Sequence, residues 1–366
     1  AASDVYKRQN LDFGFKRAKL AWYTIDPLFF RNTSITPPNI NKTLSLANGS
    51  SIKQQSYHYV REILETEVFP NRDPDLGSQI TNLAVLDVAY YPEERGPNNY
   101  TVNGLKSNGK LYDPASNWSG IMRKLETNDF EAANIEFIEF WMMDPFNSED
   151  GLANHNGGDM YINLGNVSED ILKDGYKSFE NGLPVSSEVI DVDTTAWGRV
   201  PTNFSIVEAF DNDPLSREFQ DVGLDGLNNN DERLFFESNY IQQLESIYGT
   251  NSIAYQNAIA DPSADDFHYF RGTDFDNLST EILNRYKDYN NTDGNSSTTE
   301  QSPENYPTSA STQPNSEDIN RDNTLSETES YFQYKLRLFP GMDVGDSYIS
   351  DAVSYTHLRA HETGRN

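Results

Sequence analysis

Residues 134–146 read NIEFIEFWMMDPF. Held extended, Ile135, Phe137, Glu139, Trp141 and Met143 fall on one face, and Glu136, Ile138, Phe140 and Met142 on the other. Both faces are largely apolar and aromatic, which predicts a strand covered on both sides, as in a sandwich or jelly roll. The β-branched and aromatic content argues against a buried helix. After a polar loop through Gly157 and Gly158, residues 159–164 alternate more cleanly, with Met160, Ile162 and Leu164 inward and Asp159, Tyr161 and Asn163 outward.

Other strands are expected at 11–25, 80–91 (ITNLAVLDVAYY), 118–125 (WSGIMRKL), 172–184, 189–192 and 331–339 (YFQYKLRLF). Val60, Ile63, Leu64 and Val68 lie at helical spacing and predict an amphipathic helix over 56–69. Further helices are expected at 231–248, 252–260 and 279–289, the last with Ser279 or Thr280 as its N-cap. Residues 32–51 and 70–77 read as loops, and 290–316, low in apolar residues and rich in Ser, Thr, Asn and Pro, as a flexible linker. The fold class is therefore mainly β with some α. A strand and short helix occupy 10–79, a jelly-roll-like β-sandwich 80–195, a helical region with an acidic loop 196–289, and a further loop and strand 317–352. Trp118 and Trp141 are assigned to core packing, and Glu136 and Glu139 to answering a buried arginine or backbone donor.

Composition changes the picture at two points. The 366 residues hold no cysteine and carry a formal charge of −29, which excludes a disulfide framework and thiol chemistry and disfavours nucleic acid or an anionic membrane as partner. The ends look foreign. Residues 4–9 (DVYKRQ) are what GATGTGTATAAGAGACAG encodes, and its reverse complement in another frame gives VSYTH, found at 353–357. Residues 1–9 and 353–366 are accordingly read as translated sequencing adapter and set apart from the fold. Each tail carries one net positive charge, so the remainder is more acidic still.

Such acidity directs attention to divalent cations. Residues 318–329 (DINRDNTLSETE) place Asp318, Asn320, Asp322 and Glu329 at positions 1, 3, 5 and 12 of an EF-hand-type calcium loop. Thr324 would offer its backbone carbonyl at position 7, Ser326 a water at position 9, and Asn323 the left-handed backbone of position 6. A weaker copy runs over 221–232 (DVGLDGLNNNDE): Asp221, Asp225, Gly226 and Glu232 fit, with the Leu227 carbonyl at position 7, but Gly223 removes a ligand. Its rival reading is a Gly-Asp turn capping the following helix. Ca2+ in a structural role is the one cofactor expected. His58, His155 and His268 are far apart, and no HExxH, GxSxG, P-loop or GxGxxG occurs, so no enzyme chemistry is expected.

Several long stretches carry a resemblance. They are AWYTIDPLFF (21–30), LDVAYYPEERGP (86–97), NWSGIMRKLETNDFEAANIEFIEFWMMDPF (117–146), GDMYINLGNVSEDILKDGYKSFENGLP (158–184), QDVGLDGL (220–227) and EDINRDNTLSETESYFQY (317–334). Together they resemble the SprA/Sov family, the outer-membrane translocon of the type IX secretion system of Bacteroidota, also needed for gliding motility. The resemblance implies that the chain is an internal fragment of a giant single-chain outer-membrane β-barrel that passes folded cargo. Implied partners are secreted cargo proteins, a PorV-like subunit and a plug subunit, and no catalytic residues are carried over. Few segments alternate over the roughly ten positions of a membrane barrel strand, so this part is expected in a soluble periplasmic or cell-surface region. The alternative is a calcium-stabilised jelly-roll carbohydrate-binding module of a secreted surface protein.

Overall fold

The computed structural model describes residues 10–41, 51–70, 81–127, 129–147, 155–178, 191–202, 209–220, 222–289 and 315–351. The ends assigned to adapter, nearly all of the linker at 290–316, the close of the strand expected at 172–184 and the start of that at 189–192 lie outside these residues. The strands are β1 (Ala18–Tyr23), β2 (Ile63–Leu64), β3 (Asn82–Leu83), β4 (Asp87–Arg95), β5 (Gly158–Asn166), β6 (Val192–Thr194), β7 (Arg199–Pro201) and β8 (Ser330–Leu338). The helices are α1 (Ser51–Ser56), α2 (Glu65–Val68), α3 (Pro214–Gln220), α4 (Asn229–Phe235), α5 (Gln242–Tyr248), α6 (Ile253–Ala260), α7 (Thr273–Asn277) and α8 (Ile282–Arg285).

The fold is mixed: small two-stranded sheets with short helices. The described strands pair antiparallel as β1 with β4, β2 with β3, β5 with β8, and β6 with β7. The jelly-roll-like sandwich expected over 80–195 does not form among them. The strand at 159–164 is present with the expected alternation, Met160, Ile162 and Leu164 half-buried and their neighbours exposed. It pairs with β8 in a nine-residue register, from Gly158 against Leu338 to Asn166 against Ser330. Residues 135–143 join no ladder, and Phe137, Phe140 and Trp141 are exposed. A run apolar on both faces carries no alternation to fix which face turns inward, so its composition did not secure a partner. Residues 118–125 likewise form no strand; Trp118 only bridges to Arg17 and is exposed. Glu136 and Glu139 are exposed and not buried against an arginine.

Two units divide the chain, and each has its own contacts. One comprises Thr24–Leu86, Phe137–Asn166 and Ser330–Asn366. It holds the β5–β8 ribbon, where Asp159 takes Lys335 and Arg337 as partners. It also holds the expected helix at 56–69, which is broken. A turn follows α1, β2 takes Ile63 and Leu64, and α2 the next four residues. Tyr57, Tyr59 and Val60 are poor helix formers, and Val60 and Ile63 are buried without a continuous helix.

The other unit, Ala1–Tyr23, Asp87–Glu136 and Val167–Glu329, contains the core that matters for the site. Tyr100, Leu105, Leu111, Leu172, Trp197, Leu227, Phe236, Tyr240 and Leu244 pack into one buried cluster. Tyr100 stacks on Phe236 with centroids 4.1 Å apart and meets Tyr240 edge-on at 5.7 Å. Such offset and edge-on contacts add to the burial of the rings themselves. The helical stretch expected at 231–248 appears as α4 and α5 joined by a π turn, Glu237–Ile241. The extra residue in that turn accompanies a buried row of Phe236, Tyr240, Ile241 and Leu244, while Leu234 faces out. The helix expected at 252–260 is α6, capped by Ser252 accepting from the Tyr255 N–H. That at 279–289 shrinks to α8, whose N-cap is Glu281 rather than Ser279 or Thr280. Ser279, at φ +54°, and Thr280, whose N–H donates to the Phe275 carbonyl, instead close the end of α7.

Candidate metal centre

Three short segments of the core unit bring carboxylates together. The first is the turn at 222–227. Two glycines in left-handed backbone, Gly223 at φ +54° and Gly226 at φ +68°, fold it tightly enough that Asp225 Oδ1 accepts the Leu227 N–H at 2.9 Å. The Asp225 carbonyl also accepts the Arg199 N–H of β7 at 2.7 Å. The second segment is the first turn of α4, where the Asn228 side chain caps the Asn230 and Asp231 N–H groups and the helix turns Glu232 inward. The third follows α6: Pro262 and Ser263 are buried, Ala264 takes φ +56°, and Asp265 comes round with its N–H on Asp261 Oδ1.

Asp225, Glu232 and Asp265 each place one carboxylate oxygen within 4.8 Å of the other two. Ser263 ties the group together. Its hydroxyl donates to Asp225 Oδ2 at 2.6 Å and lies 2.8 Å from the Tyr100 hydroxyl, and its N–H donates to Glu232 Oε2 at 3.1 Å. Asp261 and Asp266 gather around Asp265 in the same way. Burial pushes the Asp225 carboxyl up to about 7, against the downward pull of its bonds from Ser263 and Leu227. Burial first, and then the neighbouring Asp225, pushes Glu232 up to about 9. Asp265 is raised well above the carboxylate range by burial and by Glu232 and Asp225. These are hard oxygen donors in an enclosed space, able either to keep protons or to surround a cation of the calcium or magnesium kind.

Of the residues assigned from sequence to the weaker calcium loop, Asp225 and Glu232 meet here. Leu227 contributes its N–H to Asp225, and Asp221 lies outside the described residues. Asp265 was not anticipated. Its signal, the acidic run DPSADD at 261–266, lies two helices beyond α4 and carries no calcium-loop spacing.

The 318–329 loop is arranged differently. Asn323 is at φ +62°, a left-handed backbone at position 6. Asp318 accepts the Asp322 and Asn323 N–H groups at 3.0 and 3.1 Å, and Asn320 accepts the Asp322 N–H at 2.8 Å. Asp322 accepts both the N–H and the hydroxyl of Thr324, which with the Asn320 side chain holds its carboxyl below the usual range. Glu329 lies 3.7 Å from the Lys173 ammonium. Buried Glu169, unassigned from sequence, accepts the Asn320 and Ser326 N–H groups at 3.1 and 3.0 Å, and Glu317 accepts that of Ile171 at 2.6 Å. Two glutamates thus clamp this loop to 169–172. Asp318, Asp322 and Glu329 do not form a three-carboxylate group of the kind found at Asp225.

The histidines stay apart in their contacts. His58 reaches the Asp144 carbonyl, His155 the Pro145 carbonyl and His268 the Asp274 carboxylate. Among the described residues no helix is long and apolar enough to cross a membrane.

Comparison with protein families defines a class for the C-terminal third: residues 239–364 match a domain described as "Motility related/secretion protein". The matching model is that of SprA_N, and the matched stretch contains Asp265 and all of α5 to α8. The match runs through most of the tail read as adapter, to residue 364. No curated protein matches the chain.

Proposed function

We propose that the chain is a structural segment of a protein-conducting outer-membrane translocon of the type IX secretion system, also needed for gliding motility. The observation that carries this reading is the SprA_N match over 239–364, and the motifs at 21–30, 86–97 and 117–184 extend the same likeness upstream of it. The segment itself belongs to a periplasmic or cell-surface part of a much longer chain whose barrel lies elsewhere. Its work is to hold shape: a clamped acidic loop at 318–329, with calcium as its ligand, and an aromatic core stiffen long excursions between barrel strands while cargo passes. Secreted cargo, a PorV-like subunit and a plug are its partners, and it performs no reaction.

The sugar-binding alternative needs a sandwich scaffold, and the described residues offer none. Depletion of the full-length protein separates the two readings. The translocon reading predicts that the protein fractionates with the outer membrane and that its loss leaves secreted cargo inside the cell. Unchanged cargo export, with a protein released to the medium that binds glycans, would refute it.

A further inference from the structure

Asp225 and Glu232 are 0% and 1% exposed, and together with Asp265 they make a group of three carboxylates. Among the described residues none of the three is ion-paired with a lysine or arginine. The nearby Arg95 and Arg233 spend their guanidiniums elsewhere: Arg95 on the Asn99, Asp261 and Pro262 carbonyls, Arg233 on the Ile259 and Ala260 carbonyls and the Asn230 side-chain oxygen. Buried charge without a partner is costly, so the group needs a positive charge or protons.

A second observation points to a ligand. Asp265 Oδ2 is fully enclosed yet accepts no hydrogen bond. The turn at Gly223 closes over it, so that a Cβ there would fall 1.9 Å from that oxygen. Ser263 donates to Asp225 and Glu232 and so supplies those two carboxylates, but not Asp265.

We propose that Asp225, Glu232 and Asp265 bind one divalent cation, calcium, which fastens the turn at 222–227 and the segment at 261–266 to the first turn of α4. Carboxylate oxygens in this number suit a hard cation, and donors 2.3–2.6 Å from calcium lie up to roughly 5 Å from one another across the ion. Six to eight oxygens complete such a shell, and waters make up the remainder. The site differs from a calcium loop in drawing its third carboxylate from a distant segment, and it does not depend on the secretion reading, since a cation would be bound whatever the full-length protein does.

The test is calcium binding by the chelator-stripped chain, followed by titration calorimetry and by hydrogen exchange. At about 1 mM calcium, exchange should slow in 222–232 and 261–266, where the Leu227 and Ser263 N–H groups bond to two of the ligands. Asp265→Asn and Glu232→Gln should each weaken that binding at least about tenfold, whereas Glu136→Gln, at an exposed carboxylate outside both acidic loops, should leave it unchanged. Both triad variants remove buried charge at nearly constant shape, and the exchange measurement needs no variant. No slowing in the two segments, or equal affinity in both triad variants, overturns the site. A secretion defect without calcium binding would refute the site and leave the functional reading standing.

Discussion

Tyr100 shows how single residues decide this molecule. Its ring lies in the aromatic core against Phe236 and Tyr240, while its hydroxyl meets Ser263 and through it the carboxylates. The carboxylates around Glu232 are Asp225, Asp261 and Asp266, with Asp265 beside it, and the Tyr100 hydroxyl faces the same group. Folding therefore raises the Asp225 carboxyl to about 7 and Glu232 to about 9. The folded, metal-free chain keeps protons that the unfolded chain releases near pH 4, so stability falls as pH rises from there through 7 towards 9. Urea unfolding in chelator should give lower stability at pH 8 than at pH 5, and Glu232→Gln should flatten part of that slope. A slope unchanged in the variant would mean that Glu232 is not the group responsible. Packing gives a second test. Leu244 is fully buried and Leu234 is exposed. Leu244→Ala should cost about 2–5 kcal/mol in unfolding free energy, and Leu234→Ala within about 0.5 kcal/mol. At this scale the sequence was a partial guide. Asp225 and Glu232 stood out by their spacing, but Trp118 and Trp141 were assigned to the core on size alone, and Trp197 is the tryptophan enclosed there.

Elements were legible where local signals suffice. Asn228 and Ser252 cap α4 and α6 as their residue types favour, and the helices expected at 231–248 and 252–260 are present. Asn228→Ala should lower stability by about 1 kcal/mol, measurable by thermal melting. Strand partners were not legible. β5 was recognised by alternation, but alternation does not say that β8, from the far end of the chain, completes the ladder. The π turn also escapes notice, since one added residue in a helix leaves a nearly helical spacing. Gly198, beside β7, has a packing role that its neighbours hide in sequence. At φ +151° its missing side chain leaves room for the Asp225 carbonyl, which an added Cβ would meet at 2.2 Å. Gly198→Ala should destabilise the chain and displace Asp225, read as a lower melting temperature together with weaker calcium binding. An unchanged melt would show that the turn and β7 can separate without cost.

Across the whole chain, a formal charge of −29 favours any cation that joins acidic segments. It also explains why local spacing found only part of the site: the third carboxylate is supplied by tertiary folding, not by a loop motif. The mixed fold, the clamped loop at 318–329 and the match to a motility-related/secretion domain over 239–364 are what the proposed reading of a stiffened segment rests on. Leu244 offers the most direct measurement, because it lies both in the core and in the family-matched stretch. Leu244→Asp and Leu234→Asp are introduced separately into the full-length protein, and secreted cargo is quantified in the medium and in the periplasm. The account predicts cargo retained in the periplasm with Leu244→Asp and normal export with Leu234→Asp. Normal export with Leu244→Asp, from a core shown to be unfolded, would contradict it.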